Sequence, residues 1–222
     1  MGEHPIAWYH DFDGGRAFYT GGGHTNESYE EADFLKHLCE ICAAMGGHYL
    51  VHGSPKQRNI YPGQTQAHAL NLAQEVLANV AQAAQSFGVT YCLEPLSADQ
   101  TPLINTVAQA AAVVKQINNP FFKTMLDTSS AGLTETLSMP ELIEFWMPQG
   151  IMAHVQLNDP NRRAPGQGDM RFAPILAALQ RQAYSGVVAV EPFDYFPDGP
   201  GCAAWSAAYL KGLLENDLAR TP

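Results

Sequence analysis

The sequence predicts an α/β fold of parallel strands, a partial (β/α) barrel preceded by a β-hairpin, and three observations carry that prediction. Short aliphatic or aromatic runs alternate with helix-length amphipathic stretches at the spacing of successive βα units, roughly 30 residues each. Four of these runs end on an oxygen-bearing side chain. Tyr91-Cys92-Leu93 runs into Glu94, Lys123-Thr124-Met125-Leu126 into Asp127, Ala153-His154-Val155 into Gln156, and Val187-Val188-Ala189-Val190 into Glu191. The opening segment has a different texture: two aromatic, β-prone runs flank a glycine-rich turn.

That segment comes first in the chain. Residues 5–9 and 16–20 are the β-prone runs, and Asp13-Gly14-Gly15 supplies the positive φ that a tight hairpin turn requires. Gly21-Gly22-Gly23 and a polar loop follow, then a helix over about 31–45 with Phe34, Leu35, Leu38, Ile41 and Cys42 on its apolar side; Gly46-Gly47 stops it. Residues 49–51 form the first barrel-type strand. A helix is predicted over about 65–87, with Leu70, Ala73, Val76, Leu77 and Val80 at helical spacing, and Gly88 closes it. Further helices are predicted over 102–118, 140–147, 172–183 and 203–217, each separated from the next by one of the strands above. Pro140 suits a first-turn position. The count is five barrel strands, so the chain divides into an N-terminal hairpin segment, residues 1–32, and a barrel domain, residues 33–222, that lacks its first units.

Composition narrows the function. A chain of 222 residues is long enough to bury a substantial core, although a complete (β/α)₈ barrel typically needs about 250. The formal net charge of −10 argues against nucleic acid, whose phosphates want a Lys/Arg-rich face. Cys39, Cys42, Cys92 and Cys202 form no evenly spaced disulfide framework, which suggests a reducing cytoplasm. Cys39 and Cys42 lie on a predicted helix with no second pair for zinc, and read as small core residues. No apolar run is long enough for a membrane span, and the N-terminus has no charged-then-apolar signal layout, so a soluble protein is expected.

In a parallel barrel the carboxyl ends of all strands meet at one mouth. Three carboxylates and an amide there would make a hard-oxygen cage for a divalent cation, Mn or Mg, with Co or Zn as alternatives. Glu94 and Glu191 share one grammar, a strand followed by Glu-Pro, which turns the carboxylate out of the ladder and into the mouth. Paired carboxylates can work as base and acid beside a metal. The competing reading for each is a cap or an ion pair; for Asp127 it is a helix N-cap or Asx turn. His154 points the same way as Gln156 on an extended strand, as a supporting partner, an alternative ligand or a substrate contact. Arg162 and Arg163, in the loop after Gln156, could grip substrate oxygens or merely brace a Gly/Pro-rich loop. His52, Lys56 and Arg58, in the loop after the first barrel strand, could also reach the mouth.

From about residue 38 to 215 the ordered strand ends Leu-Glu-Pro, Leu-Asp-Thr, His-x-Gln and Val-Glu-Pro resemble the xylose-isomerase-like TIM-barrel superfamily of sugar isomerases and epimerases. The resemblance implies a partial or altered TIM (β/α) barrel holding one divalent metal on Glu94, Asp127, Gln156 and Glu191. It also implies that Glu94 and Glu191 move a proton at the carbon beside a carbonyl. Two branches compete. The ketose 3-epimerases carry His where this chain has Gln156, a sugar-binding His where it has Ser130, and a second Glu where it has Gln100. Hydroxypyruvate isomerase resembles the chain at His-x-Gln and the Pro-Gly-x-Gly loop, whereas Leu103-Ile104-Asn105-Thr106-Val107 looks closer to the epimerases. Residues 5–38, with Trp-Tyr-His, Asp-Gly-Gly-Arg, Phe-Tyr-Thr and Gly-His-Thr, resemble the C-terminal part of a ThuA-like domain, which implies a natural or artificial fusion in place of the first three barrel units.

The expected function is metal-dependent isomerisation or epimerisation of a small sugar or hydroxy-ketone. The alternative is an inactive barrel remnant that only binds metal or sugar. Open strand edges make a homo-oligomer the expected assembly.

Overall fold

The computed structural model describes residues 7–12, 15–20 and 32–218. Two strands, β1 (Ala7–Phe12) and β2 (Gly15–Thr20), pair antiparallel in the register Ala7↔Thr20 to Phe12↔Gly15. The hairpin is therefore present; its Asp13-Gly14 turn, the polar loop after Thr20 and the first predicted residue of the next helix lie outside the described residues.

The rest is a five-stranded parallel sheet in the order β3 (Tyr49–His52), β4 (Thr90–Leu93), β5 (Phe122–Asp127), β6 (Met152–Gln156), β7 (Val188–Ala189). Helices connect them: α1 (Ala32–Ala44), α2 (Gln66–Phe87), α3 (Val107–Ile117), α4 (Thr128–Thr134), α5 (Met139–Trp146), α6 (Ala173–Arg181) and α7 (Gly199–Leu218). The predicted partial barrel is the observed architecture.

Helix ends obey local chemistry. Thr65 caps α2 by accepting from the His68 N–H, and Gly88 ends it with φ +67. Ser138 and Glu141 form a capping box on α5, with Pro140 in its first turn. The helix predicted over 102–118 begins only at Val107, because Thr106 caps it and Ile104 takes a φ of 61 that no helix accepts. Asn105 Nδ2 holds that preceding loop by donating to the carbonyls of Leu96 and Thr101. One helix went unpredicted: α4 starts directly at the end of β5.

The sheet is strongly curled. Tyr49 on β3 and His154 on β6 stack with ring centroids 5.8 Å apart. Their strands stand three places apart in the sheet, which would separate them by about 14 Å if it were flat. One apolar cluster packs α1, α2 and α3 against β4, around Leu77, Val80, Tyr91, Leu93 and Phe122. A second packs α5 and α6 against β5 and β6, around Leu126, Ile143, Val155, Leu157 and Ile175. Cys39 is fully buried in the first cluster, as a core residue should be.

The sheet's two outer strands differ from its middle. Every residue of β3 is half-buried, and β7 is only two residues long, with Val187, Val188 and Val190 exposed. The Leu157 N–H donates to the Ala189 carbonyl, so the backbone groups of Val188 and Val190 face away from β6.

Candidate metal and acid–base site

All four oxygen-bearing residues stand at the carboxyl edge of the sheet. Asp127 and Gln156 are paired in register as the last residues of β5 and β6; Glu94 directly follows β4, and Glu191 lies two residues past β7. All five strands run the same way, which brings their carboxyl ends to one edge, although not level: Leu93 pairs with Thr124, three residues before Asp127, and Glu191 stands two residues beyond the Gln156–Ala189 pair.

Glu94 is the deepest, at 4% exposed. Its carboxyl lies over Gly53, just past β3, where a Cβ would collide with Oε2. Arg58, itself buried, staples the ends of β3 and β4: Nη1 donates to the Glu94 carbonyl (2.6 Å) and Nη2 to the His52 carbonyl (2.6 Å). Burial, then the negative charges of Asp127 and Glu191, push the Glu94 carboxyl up to about 8, against an opposing pull from the Arg58 guanidinium. A hydrogen bond between the carboxyls of Glu94 and Asp127 adds to the rise, since it needs a proton between them.

Asp127 serves two neighbours. Oδ1 accepts from the Ser129 N–H (3.0 Å) and Oδ2 from the Ser130 N–H (3.3 Å), so it caps α4 while facing the site. Oδ1 also accepts from Asn158 Nδ2 (3.1 Å). Gln156 is 6% exposed and hydrogen-bonds Glu191 through its amide. Its Oε1 is buried with no hydrogen-bond partner. Glu191 is exposed at the open side, yet partial burial and then Asp127 still push its carboxyl up, opposed by the bond to Gln156.

The four substrate-contact candidates separate. His52 ends β3, and burial followed by the Arg58 charge lowers it to about 3, so its imidazole is neutral; it meets Tyr91 edge-on at 5.9 Å. His154 sits one inward layer below Gln156 on β6, stacked on Tyr49, with burial lowering its pKa. Arg163 pairs with Asp194 (Nε to Oδ2, 2.7 Å) and lies over the Phe196 ring, while Arg162 lies over Phe193. The Arg162 carbonyl accepts from the N–H groups of Phe193 and Asp194. Both arginines thus brace the loop after β7; the cation that Glu94 feels is Arg58.

The sequence marks Arg58 only as a loop cation able to reach the mouth, and it marks neither Gly53 nor Asn158. The legible signal for Gly53 was a glycine placed directly after a strand. A cavity of about 260 Å³ opens nearby between α2 and the loops after β3 and β4; His52, Arg58, Leu93 and Ile104 are in its lining, and none of the four oxygen-bearing residues is.

The donor set suits a hard divalent cation. The carboxyls lie close enough that Asp127 and Glu191 raise Glu94 and Asp127 raises Glu191, and the buried Gln156 Oε1 is an acceptor without a partner. The arrangement is not closed around one point, for among the described residues no three His, Cys, Asp or Glu side chains group as a ready-made metal site. No helix among the described residues is long and apolar enough to cross a membrane.

A model of the xylose isomerase-like TIM barrel matches residues 6–213. D-psicose 3-epimerase of Agrobacterium fabrum is 33% identical over 119 residues, 54% of this chain and 40% of that enzyme. L-ribulose 3-epimerase of Methylomonas is 25% identical over 164 residues, 73% of this chain and 56% of its own length. The chain thus spans little more than half, or less, of these curated relatives. Among solved structures, D-psicose 3-epimerase with D-tagatose from Clostridium cellulolyticum superimposes with a TM-score of 0.63 at 27% identity, covering 73% of this chain and 56% of that one. The 3-keto-D-glucoside 4-epimerase of E. coli shares the fold, with a TM-score of 0.71 at 20% identity over 87% and 74% of the two chains.

Proposed function

We propose, for a chain that belongs to the xylose isomerase-like TIM-barrel family, the function of a divalent-metal-dependent isomerase or epimerase acting on a small sugar or hydroxy-ketone. The observation that carries this is the nearness of Glu94, Asp127 and Glu191 at one sheet edge, close enough for Asp127 and Glu191 to raise Glu94, together with the buried, unpartnered Gln156 Oε1 at that edge. The curated relatives, sugar 3-epimerases by name, favour a ketose over a hydroxy-ketone.

Glu94, Asp127, Gln156 and Glu191 would hold the cation, Mn or Mg by donor type. When bound it supplies Lewis-acid polarisation of a substrate carbonyl, which acidifies the neighbouring C–H. The chain's own part is proton transfer. Glu94 and Glu191 differ in burial, and such a difference divides a carboxyl pair into a proton holder and a proton acceptor. Glu191, at the open side, takes the carbon-bound proton; Glu94, buried and readily protonated, returns one. Asp127 stays engaged with the α4 amides and takes no part in the transfer. Among the described residues β3 and β7 carry no further strand, and such edges support a homo-oligomer.

Calorimetry of Mn(II) on metal-stripped protein tests the reading, beside the double variant Glu94→Gln/Glu191→Gln. Binding that the double variant loses supports the site, and turnover of D-psicose and other ketoses, with hydroxypyruvate beside them, then identifies the substrate. A parent protein that binds no Mn(II) gives the site to the second reading, an inactive remnant, which the exposed Glu191 and the unclosed ligand geometry favour.

A further inference from the structure

Asn158, two residues past Gln156, is 1% exposed and joins two strand ends that share no ladder. Its Nδ2 donates to Asp127 Oδ1 at the end of β5 (3.1 Å), and its Oδ1 accepts from the Glu191 N–H beyond β7 (2.6 Å). Its backbone is fixed by one hydroxyl: the Asn158 N–H donates to Thr128 Oγ1 (2.8 Å), and that hydroxyl donates to the Asn158 carbonyl (2.7 Å).

The side-chain amide satisfies both partners at once, its NH₂ donating to one and its oxygen accepting from the other, which a carboxylate cannot do, and this fixes which way the amide faces. An Asp here would set a second carboxylate against Asp127. The link matters because β7 is a two-residue strand and, among the described residues, no strand lies on its far side to hold the residues beyond it.

We infer that Asn158 is a positioning residue that sets the spacing between the Asp127 carboxyl and the Glu191 strand end for a divalent cation. The inference rests on the metal reading above. Residues that orient metal ligands from behind typically change affinity by about 10–100-fold when removed.

The test uses Mn(II) calorimetry on Asn158→Ala and Asn158→Asp, with amide hydrogen exchange read at Glu191. Asp159→Asn is the control: Asp159 accepts from the N–H groups of Gly166 and Met170 and so organises the same loop without touching Asp127 or Glu191. The expected result is at least a tenfold loss of affinity in both Asn158 variants, faster exchange at the Glu191 amide, and unchanged affinity in the control. Asn158→Asp carries the discrimination, since added negative charge alone would tighten cation binding. Equal or tighter binding by that variant overturns the inference, and so does an equal loss in the control. A Glu191 amide that is unprotected in the parent protein overturns it even if no Asn158 variant folds. A parent that binds no Mn(II) sinks the metal reading and the positioning role together, and Glu191 protection then marks Asn158 as a structural strut only.

Discussion

The ends of β4 and β7 carry the same three-residue grammar, an aliphatic residue followed by Glu-Pro, and they fold into opposite environments. Glu94 has strands on both sides, Gly53 beneath its carboxyl and Arg58 on its carbonyl. Glu191 follows an edge strand, is exposed, and depends on Asn158 for its backbone bond. Sequence grammar therefore chooses which residue reaches the mouth, while position in the sheet decides how dry and how charged its surroundings are. A buried member and an open member of one pair are what proton transfer in two directions requires.

The largest expected effect is electrostatic. The folded Glu94 value of about 8 lies above its ordinary 4.5, so between those values the folded protein keeps a proton that the unfolded chain releases. Stability of the metal-free protein should fall as pH rises through this window and level off above it, by on the order of 5 kcal/mol in total. Denaturant titrations at several pH values check this; Glu94→Gln should flatten the slope, and Glu191→Gln should leave most of it. If the two variants flatten it equally, the contrast between the two ends is wrong.

Gly53→Ala comes next. Its Cβ would displace the Glu94 carboxyl, costing about 1–3 kcal/mol of stability and disrupting Mn(II) binding, while the Glu191 end should keep its amide protection. Arg58→Met against Arg163→Met compares the cations at the two ends. The first removes two donors from buried carbonyls, at about 2 kcal/mol, and should raise Glu94 further; the second breaks a half-exposed ion pair with Asp194, at under about 1 kcal/mol. Thermal unfolding of both variants measures the difference. Smallest of all, Val188→Lys on the open edge should change stability by less than about 0.5 kcal/mol, yet lower any self-association seen by sedimentation.

Much of this was legible because strands buried on both faces read as apolar runs with a polar stop. Thr124-Met125-Leu126 before Asp127 and His154-Val155 before Gln156 placed both strand ends to the residue. The start of α3 was misread because Leu103 and Ile104 continue an apolar pattern, yet they pack as a loop on the core; Thr106 was the signal that the helix begins later. The helix α4 is only seven residues long, and its one signal is the N-cap reading of Asp127, which the structure bears out: the carboxyl accepts from the Ser129 and Ser130 N–H groups. Gly53, Arg58 and Asn158 act on Glu94, Asp127 and Glu191, residues far from them in the chain, through a backbone carbonyl, amide hydrogen bonds and the space left by a missing Cβ. Single-sequence patterns mark Arg58 only as a loop cation and Gly53 only as a glycine after a strand; what each one touches appears once the sheet has curled.

The clamp at Asn158 also bears on chemical ageing. An asparagine side chain deamidates when the next backbone nitrogen swings in to attack it, and here that nitrogen, on Asp159, is held by the Arg163 carbonyl (3.1 Å). While the loop stays folded the amide is protected; each opening of the loop exposes it, and conversion to aspartate would leave a carboxylate where the fold needs a donor. Peptide mapping of stored protein should therefore find Asn158 intact in samples kept folded and converted in samples held near their unfolding midpoint, a covalent record of how often the mouth has come apart.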